Sequence, residues 1–122
     1  MYKIKAFKEM NAVLGILKGN LTVEELNAYG NDVVREIENK LMPQFTYLLD
    51  VSKYNHGSDG VSEGLIGKME EIEYFLNKMG LDEIIVIGSN KSDKSNRDHE
   101  SDIKKVFFSD LDAAISYMSQ KA

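Results

Sequence analysis

Cysteine is absent from this 122-residue sequence, which excludes disulfides, thiol catalysis and cysteine-ligated metal sites. Proline occurs once, at Pro43. No apolar run approaches the roughly 18 residues needed to cross a bilayer, so no transmembrane segment is expected. Met1-Tyr2-Lys3-Ile4-Lys5 lacks the apolar stretch of a secretory signal, and a cytoplasmic chain is expected. The formal charge is −5, and the 15 basic residues are scattered rather than gathered in a patch. Nucleic-acid binding is therefore not expected, because phosphate neutralisation has no obvious source. The only histidines, His56 and His99, have no acid at ligand spacing, so no metal is expected either. A Gly-x-Ser-x-Gly elbow, a P-loop and a dinucleotide fingerprint are all missing, which points away from an enzyme and from a nucleotide cofactor.

What remains is 43% hydrophobic and 29% charged residues, enough for one domain spanning 1–122 with a single core. Tyr2 to Phe7 alternates like a half-exposed strand at a sheet margin. Glu9-Met10-Asn11 fits a hairpin turn, and Ala12 to Leu17 reads as a strand covered on both faces. Gly15 interrupts that strand and marks either a bulge or a close helix contact. Thr22 and Glu25 form a capping box ahead of Val23, Leu26, Tyr29, Val33, Ile37 and Leu41, which recur at helical spacing. This helix must stop by Met42, ahead of Pro43.

A central apolar strand, Phe45 to Leu49, then ends at Asp50, and a polar turn from Val51 to Gly60 leads into a second helix near Val61. Leu65, Met69, Ile72, Leu76 and Met79 make the apolar stripe of that helix, widened by Ile66 and Phe75. Gly80 follows as a left-handed cap, and Glu83 to Ile87 is a buried strand of the parallel type. Ser89 to Asp102 has no periodicity, and its alternating charges read as a solvated loop. Lys104 to Phe108 is a short last strand, and Ser109 with Asp112 forms a second capping box before a closing helix. The order predicts an α/β fold, β-β-α-β-α-β-β-α, with three main helices on a mixed, mainly parallel five-stranded sheet.

Ligands of open α/β sheets collect at the carboxyl ends of parallel strands, where the connections Lys18 to Thr22, Val51 to Gly60 and Gly88 to Asp102 are expected, the second the most suggestive. The first amides of the helix after Gly57-Ser58-Asp59-Gly60 can hold an anion. The plainer reading is that Asp59 or Ser62 caps the helix while the glycines make the turn. Asp50 lacks the companion carboxylates of a phospho-acceptor site and reads as a strand-end acceptor of backbone hydrogen bonds. The methionines of the second helix read as core, although methionine also suits an adaptable pocket.

Tyr47-Leu48-Leu49-Asp50-Val51-Ser52, the loop and helix after it, and Ile84-Ile85-Val86-Ile87-Gly88-Ser89 resemble a STAS domain, the sulfate-transporter and anti-sigma-factor-antagonist module. Val106 to Ile115 resembles the last strand and helix of the same superfamily, in its stand-alone SpoIIAA-like and CRAL-TRIO-like branch. In anti-sigma antagonists the corresponding turn carries an Asp-Ser-x-Gly-type motif whose serine a partner kinase phosphorylates. Here Ser58-Asp59-Gly60 stands in that place with Ser and Asp reversed, leaving Ser58 and Ser62 as the candidate phospho-acceptors.

The resemblance implies a regulatory module without catalytic residues that binds a partner protein or small ligand through Asp50, Tyr54, His56, Gly57, Ser58, Asp59 and Gly60. Exposed apolar groups around Tyr54 are expected to supply the affinity. The alternative is a carrier of a lipid-like or other apolar molecule, with Met69, Phe75 and Met79 lining its pocket.

Overall fold

The computed structural model describes residues 1–19, 21–54, 59–88 and 104–121, with the backbone alone for 59–66, 104 and 121. Its strands are β1 (Tyr2–Phe7), β2 (Ala12–Gly19), β3 (Phe45–Tyr54), β4 (Leu81–Ile87) and β5 (Lys104–Phe108). Its helices are α1 (Val23–Lys40), α2 (Asp59–Met79) and α3 (Leu111–Lys121), with a 3-10 turn at Lys8–Met10. The strands lie side by side in the order β1-β2-β3-β4-β5. β1 runs antiparallel to β2, and every other neighbouring pair is parallel. The α/β class, the mixed five-stranded sheet and the three helices thus agree with expectation, and β3 sits in the middle of the sheet.

Period-two alternation sorts the strand residues onto two faces. Val13, Phe45, Tyr47, Leu49 and Ile84 join Leu26, Tyr29 and Val33 of α1 and Met69, Ile72 and Leu76 of α2 in one buried cluster. Ala12, Leu14, Leu48, Ile85 and Ile87 turn the other way and meet Ala114 and Met118 of α3 in a second. The short helix α3 lies over β4 and β5.

The helix ends follow from local chemistry. Thr22 Oγ1 accepts the Glu25 N–H at 3.0 Å and Glu25 Oε1 accepts the Thr22 N–H at 2.9 Å, so the predicted capping box is complete. Val23, counted in the apolar stripe, is 65% exposed because it is the first residue inside this cap. α1 ends at Lys40, as Pro43 requires. Gly80 takes the expected positive φ, 110°, after α2.

At α3 the cap is Asp110, whose Oδ1 accepts the Ala113 N–H at 2.9 Å. Ser109 stands one residue too early, since the helix begins at Leu111. Asn11, at φ 53°, ties the hairpin to the end of α1, with its Oδ1 accepting the Met42 N–H at 2.8 Å and its Nδ2 donating to the Met42 carbonyl at 3.1 Å. Among the described residues no helix is long and apolar enough to cross a membrane.

Candidate functional site

The carboxyl ends of β2, β3 and β4 meet at one rim. β3 does not stop at Asp50 but runs four residues further, because Lys53 and Tyr54 pair with Lys18 and Gly19 of β2 after a register shift between Ile16 and Lys18. Val51 to Tyr54, read as the first part of the turn, are therefore strand. α2 begins earlier than expected, at Asp59 rather than near Val61. Asp59 and Gly60 are the first residues of the helix, and Ser62 lies further inside it. His56, Gly57 and Ser58 lie outside the described residues, as does 89–103.

Asp50 is only 9% exposed, on the α3 side of β3. Its Oδ1 accepts both the Ser52 N–H at 2.9 Å and the Ser52 hydroxyl at 2.7 Å. It therefore accepts a backbone hydrogen bond as expected, but from within the strand. Gly88 closes the rim beside it at φ 92°, where a Cβ would stand 2.5 Å from Ser52 Cα. Only glycine lets the chain leaving β4 pass this close to β3.

Tyr54 overturns one expectation. It is 5% exposed and belongs to the cluster beneath α1 and α2, and burial raises the pKa of its hydroxyl. It fills the core and offers a partner no open ring. The exposed groups at this end of β3 are Ser52 and Lys53.

The apolar pocket candidates separate. Met69 is 8% exposed and fills the core, and Met79 packs against the same cluster. Phe75 is 51% exposed. It borders an open groove of about 520 Å³ between α1 and α2, walled by Leu26, Gly30, Val34, Ile72 and Tyr74 together with the polar Asn27, Asn31, Lys68 and Glu71. A helical wheel places Phe75 near the buried stripe, but the seam between the helices opens where it emerges.

Sequence reasoning missed a buried pair of tyrosines. Tyr29 of α1 and Tyr47 of β3 are fully buried, with their hydroxyl oxygens 2.5 Å apart. Burial pushes both phenols well above their ordinary pKa. Tyr2 meets the Tyr29 ring edge-on at 5.4 Å and donates its hydroxyl to Asp32 at 2.7 Å. The signal was Gly15, where a Cβ would lie 2.0 Å from the Tyr29 hydroxyl, so the close helix contact is the correct reading of that glycine.

In comparisons with known proteins, no family model and no curated protein matches this chain. Among the described residues no cluster of three or more His, Asp or Glu side chains is arranged to hold a metal. The rim presents hydroxyl, ammonium and backbone groups at Ser52, Lys53 and the start of α2, a set suited to hydrogen bonding and charge recognition.

Proposed function

We propose that this chain is a non-enzymatic, STAS-like regulatory module that binds a partner protein or small ligand at the 51–60 edge, in the manner of the anti-sigma-factor antagonists. One observation carries the reading. β3 is third of five strands, parallel to both neighbours, and its carboxyl end leads directly toward the start of α2. Ligands of open parallel sheets collect outside the carboxyl ends of the strands.

Contacts come from Ser52, Lys53 and the residues that open α2, in place of the Tyr54 ring. A phosphate on Ser58 or Ser62 adds about 1.5 to 2 negative charges beside Asp59 and repels an acidic partner surface. Phosphosite mapping by mass spectrometry on protein isolated from its own cells tests this, combined with capture of a switch-kinase homologue. Phosphate on either serine and a captured kinase support the reading. It fails if neither serine carries phosphate and if partner binding is indifferent both to Ser58→Ala, Ser62→Ala and to Lys53→Glu.

A second reading, a carrier of an apolar molecule, is favoured by the α1/α2 groove. Its volume of about 520 Å³ lies within the roughly 300–1,000 Å³ of small-molecule sites. Native mass spectrometry separates the two readings. A co-purifying small molecule lost on Phe75→Ser favours the carrier, and a clean apo mass favours the partner-binding module.

A further inference from the structure

The fold gathers three lysines that stand far apart in the chain. Lys3 of β1 lies opposite Ile16 of β2, and Ile16 packs against the cluster on the α3 side of the sheet, so Lys3 projects to that side. Lys18, two residues beyond Ile16, projects the same way. The register shift between Ile16 and Lys18 then sets Lys53 of β3 opposite Lys18. Tyr54, the next residue, turns into the cluster beneath α1 and α2, which leaves Lys53 on the α3 side as well. Three adjacent strands, about 4.8 Å apart, thus each present a lysine on one face of the rim where β2 and β3 end. Lys3 and Lys53 are exposed, and Lys18 is partly buried.

Among the described residues Arg35, Lys40, Lys68 and Lys105 each hold a carboxylate in an ion pair, whereas Lys3, Lys18 and Lys53 hold none. Asp50 lies on the same face, opposite Ile16, but its Oδ1 accepts the Ser52 N–H and hydroxyl. The Met1 ammonium reaches the same corner and is taken up by the Lys18 carbonyl and the Glu25 carboxylate. Three lysines and one carboxylate leave this corner with a formal charge of +2.

Like charges facing each other across neighbouring strands are destabilising, and Lys18 and Lys53 have no paired acid to offset that cost. Lysines on an edge strand guard against aggregation. That role accounts for Lys3 alone, since β2 and β3 are interior strands. Burial of Tyr54 accounts for the register shift, but not for a lysine at both facing positions. An anion held between the strands accounts for all three.

We infer that Lys3, Lys18 and Lys53 bind a phosphate dianion, free or carried by a small ester. A phosphate monoester has about 1.5 to 2 negative charges at neutral pH and three strong acceptor oxygens, which match the charge of this corner and its three ammonium groups. The site shares Lys53 with the 51–60 edge and rests on the reading of that end of β3 as the binding rim, for which it names the ligand class. Exposed ion pairs are weak, each contributing about threefold, so the dissociation constant falls at about 1–10 mM. Salt in excess of the ligand screens the attraction.

Titration of the full chain with glycerol phosphate and, separately, with inorganic phosphate, followed by amide chemical shifts at constant ionic strength, provides the test. Saturable shifts are expected at Lys3, Lys18, Lys53 and the residues beside them, and sodium chloride at the same ionic strength should not reproduce them. Equal binding of the two probes supports a free dianion as the ligand, and tighter binding of glycerol phosphate supports a small phosphorylated molecule. Lys3→Gln, Lys18→Gln and Lys53→Gln should each weaken binding about threefold, and Lys18→Gln with Lys53→Gln about tenfold. Lys40→Gln, on α1 and paired with Glu36, should leave it unchanged. The amide spectrum of each variant reports its fold, and methionine, which keeps the apolar stem, serves where glutamine fails to fold.

The inference is overturned if neither probe gives saturable shifts, if the shifts centre elsewhere or appear equally with chloride, or if the double variant binds undiminished. Phosphate binding that depends on Lys3 and Lys18, in a chain whose Lys53→Glu form still captures its partner, sinks the partner-binding reading alone. Partner capture that depends on Lys53, without phosphate binding, sinks this one alone.

Discussion

Replacing Gly15 with alanine sets a methyl carbon 2.0 Å from the Tyr29 hydroxyl oxygen and 2.7 and 2.8 Å from ring atoms Cζ and Cε1. The ring cannot easily yield, since Tyr29 is fully buried, holds Tyr47 through its hydroxyl and meets Tyr2 edge-on. Overpacking of this kind costs about 1–3 kcal/mol. Pulling the two hydroxyls apart leaves a buried polar atom unpaired, for roughly 1–3 kcal/mol more. Alanine recovers about 0.5–1 kcal/mol over glycine in the unfolded chain, so the net loss is about 1–5 kcal/mol.

Urea unfolding followed by far-ultraviolet circular dichroism measures this as a lower midpoint with an unchanged slope. The Tyr29→Phe change removes the closest atom. It should therefore cost at least about 1 kcal/mol less in the alanine background than in the wild type, a coupling expected of residues in contact. A Gly15→Ala protein within about 0.5 kcal/mol of wild type, or strictly additive changes, would refute the reasoning.

Thr22→Ala removes one half of the capping box and should cost about 1 kcal/mol in the same urea experiment. At Asn11, glycine keeps the positive φ but loses the bonds to Met42, and alanine loses both. Stability should thus fall in the order Asn, Gly, Ala, with the last step about 1 kcal/mol; alanine equal to or above glycine would contradict it. Burial raises the Glu73 carboxyl above its ordinary range, against the opposing pull of Lys105 at 3.4 Å. The fold favours the neutral acid, so its contribution is whole below the unfolded pKa and is lost as pH rises through the folded one. Glu73→Gln should accordingly gain on wild type as pH climbs through the carboxylate range and level off above it. A flat or falling difference between their unfolding curves would count against this account.

Much of this fold was legible because its signals are local. The capping box at Thr22 needs only four residues in a row, and the apolar run from Phe45 marks an interior strand by composition alone. What stayed hidden depends on neighbours distant in sequence. Ser52 and Lys53 look like turn residues, yet β2 continues alongside and extends the ladder to Tyr54. Phe75 belongs to an apolar stripe by spacing, but its exposure is decided by how closely α1 approaches. The tyrosine pair joins residues 18 apart in sequence across two elements, and only the glycine facing it left a trace. Of the candidate rim, Asp50 was found with its backbone bond, whereas the Ser52 hydroxyl that also bonds it was not.

Since the ribbons stand in space as they follow along the chain, each can join the growing layer as soon as it is made. No segment has to be threaded between two already in place. The first and last ribbons end up on opposite borders, four spacings of about 4.8 Å apart. Loss of the final ribbon and its helix therefore strips one border and also uncovers Leu48, Ile85 and Ile87 in the middle, which share a buried cluster with Ala114 and Met118.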